Sequence, residues 1–123
     1  MLRRHCLVVD DSRTIRSIAR RILESAGFIV TEAADGKIAL TACRAALPDC
    51  VLLDWNMPVM NGIEFLTALR AEFGADKPIV VLCTTETEME NIAHAIASGA
   101  QEYIMKPFDA EILLGKLEQA GAM

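Results

Sequence analysis

Asp10-Asp11, Asp54, Thr84 and Lys106 are the residues whose types could do chemistry together, and each follows a short apolar run: residues 6–9, 51–53, 79–83 and 103–105. If those runs are neighbouring strands, three carboxylates, a hydroxyl and an ammonium meet at one edge of a sheet. Two carboxylates about 4 Å apart repel by roughly 4 kcal/mol at an effective dielectric near 20. Three of them therefore call for a proton or a cation. Hard oxygen ligands suit Mg²⁺, which takes one or two carboxylates together with waters and phosphate oxygens. Lys106 supplies a point charge for an anion, and the Thr84 hydroxyl can donate to a second oxygen. The set describes a phosphoryl site built on an aspartate. Taken singly, each residue has a plainer role: Asp11 as a helix N-cap, Thr84 as a turn residue, Lys106 as a solvated charge. Their joint occurrence at four strand ends favours the functional role.

A sheet has to position those ends. The apolar runs 6–9, 28–30, 51–53, 79–83 and 103–105 are short and contain β-branched residues, a pattern for strands buried on both faces. Helical patterns lie between them. Ile15, Ile18, Ala19, Ile22, Leu23 and Ala26 share one helical face, and Gly27 stops that helix. Asp35-Gly36 precede a second helix reaching about Leu47, before Pro48. Asn61-Gly62 open a third that closes near Gly74, Thr85 or Glu86 opens a fourth running to Ser98-Gly99, and Asp109 caps a fifth. Strand and helix alternating five times specify an α/β fold, a doubly wound five-stranded parallel sheet with right-handed crossovers. In such sheets ligands bind outside the carboxyl ends of the strands, where the strand order reverses.

The 123 residues fit one domain, 1–123, and 53% hydrophobic with 24% charged residues is an ordinary globular composition. Twelve Lys+Arg against seventeen Asp+Glu give a net charge of −5, which argues against nucleic-acid binding. The apolar run after Met1-Leu2-Arg3-Arg4-His5 is too short for a signal-peptide core, and no stretch reaches membrane-spanning length. A cytoplasmic location is expected. Cys6, Cys43, Cys50 and Cys83 form no C-x-x-C pair and sit among apolar neighbours, as buried thiols of a reducing compartment do. His5 and His94 lack the spacing of metal ligands.

Taken in order, Asp10-Asp11, Asp54-Trp55-Asn56-Met57-Pro58 with Asn61-Gly62, Thr84, and Tyr103 with Lys106-Pro107-Phe108 resemble the receiver domain of two-component response regulators. The resemblance covers nearly the whole chain and is nearest to the stand-alone chemotaxis members of that family. It implies a flavodoxin-like (βα)5 fold with strand order 2-1-3-4-5. It also implies a single-domain signalling switch that catalyses its own phosphorylation and dephosphorylation, not an enzyme with a separate substrate. On this resemblance Asp54 accepts a phosphoryl group from a phosphohistidine. Asp11, Asp54 and the Asn56 backbone carbonyl bind Mg²⁺, with Asp10 acting mainly through water. Lys106 pairs with the phosphoryl group, Thr84 moves to hydrogen-bond it, and Tyr103 rotates inward behind the threonine. The Lys106–Pro107 bond is expected to be cis. Asn56 and Glu86 stand where the family tunes phosphoryl loss, and they match the fast-cycling chemotaxis regulators, which implies a lifetime of seconds to minutes.

Several features bear on partners. Thr85 stands where the family more often has Ala or Gly, and either narrows access to the site or caps the fourth helix. Arg13, Arg16 and Arg20 form a helical stripe, with Arg21 beside it. The family docks its kinase or histidine phosphotransferase against the first helix, so the stripe is a candidate donor surface or else a solvated face. The fourth-helix, fifth-strand and fifth-helix face, with Glu88 and Tyr103, is the expected surface for a downstream protein. Glu86, Glu88 and Glu90 make it acidic where the chemotaxis regulator is basic. The oligomeric expectation is a monomer or a phosphorylation-dependent dimer. A phosphorelay intermediate that passes its phosphoryl group onward is the near alternative. A haloacid-dehalogenase-like phosphatase is remote, because it needs an acid two residues after the nucleophile, where this chain has Asn56. A dinucleotide-binding enzyme lacks its G-x-G-x-x-G turn after the first strand.

Overall fold

Strands and helices alternate along the computed structural model, which describes residues 3–85 and 92–123. In chain order they are β1 (His5–Val9), α1 (Arg13–Ser25), β2 (Ile29–Ala33), α2 (Gly36–Ala45), β3 (Cys50–Asp54), α3 (Gly62–Phe73), β4 (Ile79–Thr84), α4 (Ile92–Ala97), β5 (Glu102–Met105) and α5 (Ala110–Gln119). The strands form one parallel sheet in the order β2-β1-β3-β4-β5. This is the doubly wound, flavodoxin-like α/β architecture the sequence specifies. The order reverses at β1, whose neighbours are β2 and β3.

The two-residue period of the strands divides the core into two layers. Leu7, Val9, Val51, Leu53, Val80 and Leu82 face α2, α3 and α4, packing on Leu40, Phe65, Leu66, Leu69 and Ala95. Cys6, Val8, Cys50, Leu52, Val81 and Cys83 face α1 and α5, packing on Ala19, Leu23, Leu113 and Leu117. All four cysteines are buried thiols, as expected. Burial, with a smaller push from Glu72, raises the Cys43 thiol to about 11.

Side chains and glycines close the helices where the sequence places them. Ser12, Asp35, Asn61 and Asp109 each accept a backbone N–H at the start of α1, α2, α3 and α5. Ser12 takes the capping position at α1, so Asp11 is left free for the site. Asn61 and Glu64 complete a reciprocal capping box on α3. Gly62 has a second task. Its N–H donates to Trp55 O at 3.0 Å, and a Cβ there would lie 2.6 Å from Asp54 O. Only glycine lets α3 begin this close to the end of β3.

Two boundaries and one helix face differ from the sequence pattern. β2 covers Ile29–Ala33 and not residues 28–30, because an edge strand tolerates Thr31 and Glu32 and so shows no continuous apolar run. α2 ends at Ala45, two residues short of Leu47. On α1, Ala19 and Leu23 are buried, but Ile18 is 44% exposed, so the apolar stripe is narrower than its spacing suggests. The expected start of the fourth helix, with Glu86, Glu88 and Glu90, lies outside the described residues. No helix among the described residues is long and apolar enough to cross a membrane.

The loop from β3 to α3 contains a tight γ-turn. Met60 N donates to Pro58 O at 2.7 Å across Val59, whose φ is +66°. A β-branched residue at positive φ is strained, and Val59 is 77% exposed, so little packing offsets that strain. Val59→Asn is expected to stabilise the protein by about 1 kcal/mol. Urea unfolding checks this as a higher midpoint with an unchanged slope. A lower midpoint would mean that the valine side chain contributes more than its backbone costs.

Candidate functional site

Register brings the chemistry together. Val9 pairs with Leu53, so Asp10, the next residue, stands level with Asp54 at the end of β3. Thr84 pairs with Met105, so Lys106 follows β5 just past the end of β4. Asp10, Asp54 and Thr84 are the buried polar residues among those described, with 3%, 5% and 1% exposure. The Lys106 ammonium sits between the first two, donating to Asp10 Oδ2 and Asp54 Oδ1, each at 2.9 Å. The Lys106–Pro107 peptide is cis, as expected, and so is Lys77–Pro78.

Asp10 is held on every side. Its Oδ1 accepts from Ser12 N at 2.8 Å, its N–H donates to Ala33 O at 3.1 Å, and its carbonyl accepts from Arg16 Nη1 at 2.7 Å. Asp11 is exposed, and carboxylate oxygens of Asp10, Asp11 and Asp54 lie within 4.8 Å of one another. That donor set has three hard oxygens and neither sulfur nor imidazole, which fits a divalent cation of the Mg²⁺ or Ca²⁺ kind.

Electrostatics agree with this geometry. Burial raises the Asp54 carboxyl to about 6, the Lys106 hydrogen bond pulls it down, and the charges of Asp10 and Asp11 push it up. Burial would lower the Lys106 ammonium, but its hydrogen bonds to Asp10 and Asp54 outweigh that and hold its pKa above the ordinary value. One cation therefore faces three acids. The site holds surplus negative charge that a metal ion can neutralise.

The remaining residues singled out from the sequence stand at the end of β4, in the loop after β3, on β5 and on α1. Thr84 lies buried at the end of β4, its hydroxyl donating to Thr85 O at 3.3 Å, while its carbonyl accepts from Lys106 N at 2.8 Å. Asn56 is exposed in the loop after β3. Tyr103 is half-buried on β5, packs against the core layer of α2, α3 and α4, and carries the Lys116 ammonium 4.9 Å from its ring centre. Glu86 and Glu88 lie outside the described residues. The arginine stripe is less free than its spacing suggests. Arg16 Nε and Arg20 Nε donate to the two oxygens of Glu32 on β2, at 3.0 and 2.6 Å. Arg13 and Arg21 remain exposed, and with Thr14, Ser17 and Ile18 they line a surface groove of about 370 Å³. Sequence spacing shows the stripe but not Glu32, which is brought to it by the β1–β2 register.

The response regulator receiver domain model matches residues 6–118. The DNA-binding response regulators MtrA of Mycolicibacterium paratuberculosis and Mycobacterium leprae are each 40% identical over 116 residues, which is 94% of this chain and 50% of theirs. The chain thus spans about half the length of these curated relatives. Among solved structures, the chemotaxis response regulator CheY4 of Vibrio cholerae superposes with a TM-score of 0.90 at 38% identity, covering 97% of this chain and 99% of that one. NtrX from Brucella abortus superposes with a TM-score of 0.90 at 30% identity, over 97% of this chain and 27% of NtrX.

The raised Asp54 pKa has a consequence for stability. The native state takes up this proton near pH 6, whereas an unperturbed carboxyl does so near 3.8. Native stability is therefore gained as pH falls through 6, and the ionised carboxylate is a cost above it. In metal-free buffer at pH 8, Asp54→Asn is expected to melt a few degrees above wild type. The gap should close by pH 5, where wild type is already neutral at this position. Thermal melts across that range check the sign, and a wild type that melts higher at pH 8 would contradict it.

Proposed function

The chain belongs to the response regulator receiver domain family, and from that premise we propose that it is a phosphoryl-accepting signalling switch centred on Asp54. Family membership removes the haloacid-dehalogenase-like phosphatase from consideration. The observation that carries the proposal is the buried Asp54 carboxylate, hydrogen-bonded to Lys106 and set among two further carboxylates.

At neutral pH, above the Asp54 pKa of about 6, this carboxylate is ionised and can act as a nucleophile. An Asp54 oxygen forms a bond to phosphorus as the bond from phosphorus to the donor histidine nitrogen breaks, and the electron pair stays on the imidazole. Lys106 holds the carboxylate in place and faces the charge carried by the incoming group. Asp10, Asp11, Asp54 and the Asn56 carbonyl are the residues that would hold Mg²⁺. When bound, the ion supplies charge neutralisation and a template for phosphate oxygens. Hydrolysis of the acyl phosphate resets the switch. The protein is thus its own substrate and not an enzyme with turnover on another molecule.

The resulting state is one of two conformations, biased by contacts that the phosphoryl group makes and the carboxylate does not. Thr84 would make such a contact by turning its hydroxyl away from Thr85 O, and Tyr103 would follow it. Donor recognition is assigned to the exposed side of α1, where Arg13, Ile18 and Arg21 line the groove. Downstream recognition is assigned to the face built from α4, β5 and α5. The location proposed is cytoplasmic, where phosphohistidine donors of this kind present their phosphoryl groups.

Two outputs follow from the comparisons. Coverage of nearly all of CheY4 supports a receiver that itself binds a protein partner or relays its phosphoryl group. Coverage of half of MtrA supports a receiver that governs a DNA-binding half. The chain's own charge of −5 argues against a DNA contact through these residues.

Incubation with Mg²⁺ and acetyl phosphate is expected to add one phosphoryl mass to wild type and none to Asp54→Asn. Beryllofluoride should change the fluorescence of Trp55, the residue directly after the acceptor, in wild type alone. Absence of both Asp54-dependent signals would overturn the proposal. After the donor is removed, the added mass should be lost within seconds to minutes. Persistence for many hours would contradict the role assigned to Asn56 and Glu86.

A further inference from the structure

We infer that Arg16 is a positioning residue of the acidic site, setting the Asp10-Asp11 turn so that its carboxylates meet a divalent cation. Arg16 Nη1 donates to Asp10 O at 2.7 Å, while its Nε donates to Glu32 Oε1 at 3.0 Å. The other Glu32 oxygen accepts from Arg20 Nε at 2.6 Å. The residue after Glu32 is Ala33, whose carbonyl accepts the Asp10 N–H at 3.1 Å. The end of β2 therefore holds the Asp10 amide directly and the Asp10 carbonyl through Arg16.

The consequence lies in the next peptide. The Asp10 carbonyl and the Asp11 N–H belong to one planar unit. Fixing that carbonyl fixes the plane from which the Asp11 side chain departs. Both Asp10 carboxylate oxygens are held as well, by Ser12 N and Lys106 Nζ. Asp11 is exposed, so the plane is the main restraint on where its carboxylate points. Arg16 suits this task because its guanidinium is a rigid planar fork, able to serve a carbonyl and a carboxylate at once. Its side chain is only 16% exposed, unlike that of a solvated surface arginine. Arg20 pairs with the same Glu32 but makes no hydrogen bond or ion pair to Asp10, which makes it the natural comparison.

The inference rests on the assignment of Asp10, Asp11 and Asp54 as a cation site, and the experiment separates the two. Mg²⁺ is titrated into the full chain, followed by Trp55 fluorescence and by the Mg²⁺-dependent rise in melting temperature. Wild type should saturate. Arg16→Ala should bind Mg²⁺ about 10-fold more weakly, the usual effect of losing a group that orients a ligand. Arg16→Lys, with one point donor in place of a fork, should recover only part of the loss, and Arg20→Ala should stay within about twofold of wild type. Should Arg16→Ala fail to fold, Arg16→Lys against Arg20→Ala carries the same comparison. Wild-type affinity in the Arg16 variants overturns the inference alone, as does an equal weakening by Arg20→Ala, which would mark a general loosening of α1. Failure of the wild type to respond to Mg²⁺ by either measure overturns the cation site and the inference together.

Discussion

Everything else in the molecule depends on one arrangement: the Lys106 ammonium shared at 2.9 Å between the carboxylates of Asp10 and Asp54. Both acids are almost wholly buried, and without a cation between them they would repel by several kcal/mol at any plausible interior dielectric. That cation comes from the far end of the chain, after β5. The ends of β1, β3 and β5 must therefore stand at one height, although β4 separates the last two. A one-residue slip in any strand would turn its side chains to the opposite face and take the charge out of reach. The two apolar layers make such a slip costly, because they alternate strictly along β1, β3 and β4.

The same constraint explains where the chain departs from ordinary local preference. Acids crowd together without enough cations, a valine adopts positive φ, and glycine is needed where α3 crowds the end of β3. The acids and Gly62 meet Asp54 directly, and Val59 lies in the loop that follows it. The helices away from it obey the usual rules of capping and amphipathic spacing. Departures that gather at the end of β3 point to a constraint there, and the surplus negative charge says what kind of constraint it is.

Legibility in the sequence followed the range of the interactions. β1, β3 and β4 were readable because strands covered on both faces must be apolar throughout. The edge strand β2 was only half readable, because Thr31 and Glu32 interrupt its run. Asn61-Gly62, Asp35 and Asp109 announced their helices because capping is local. The acid and lysine positions were readable from strand ends and from the resemblance they carry. Two features were not. The turn at Val59 carries no Gly or Asn to signal positive φ. The pairing of Arg16 and Arg20 with Glu32 joins residues 16 and 12 positions apart, which no helical period predicts.

That last pairing changes what α1 does. Its arginines share one stripe by spacing, yet they face two sides of the helix. Arg16 and Arg20 turn toward Glu32 on β2, and Arg16 alone also donates to the Asp10 carbonyl. Arg13 and Arg21 turn outward and line a groove with the exposed Ile18. A partner seated in that groove would rest on the helix that holds the acidic loop, one turn from the Arg16 contact. Donor binding and cation binding would then act on the same short segment. If a partner prefers one setting of that segment, the cation's affinity must respond in kind, because coupling between two binding events is reciprocal. The uneven charge of the chain follows the same division: Arg13 and Arg21 on the outer side of α1 line the groove, while Arg16 on its inner side holds the carbonyl of the acidic loop.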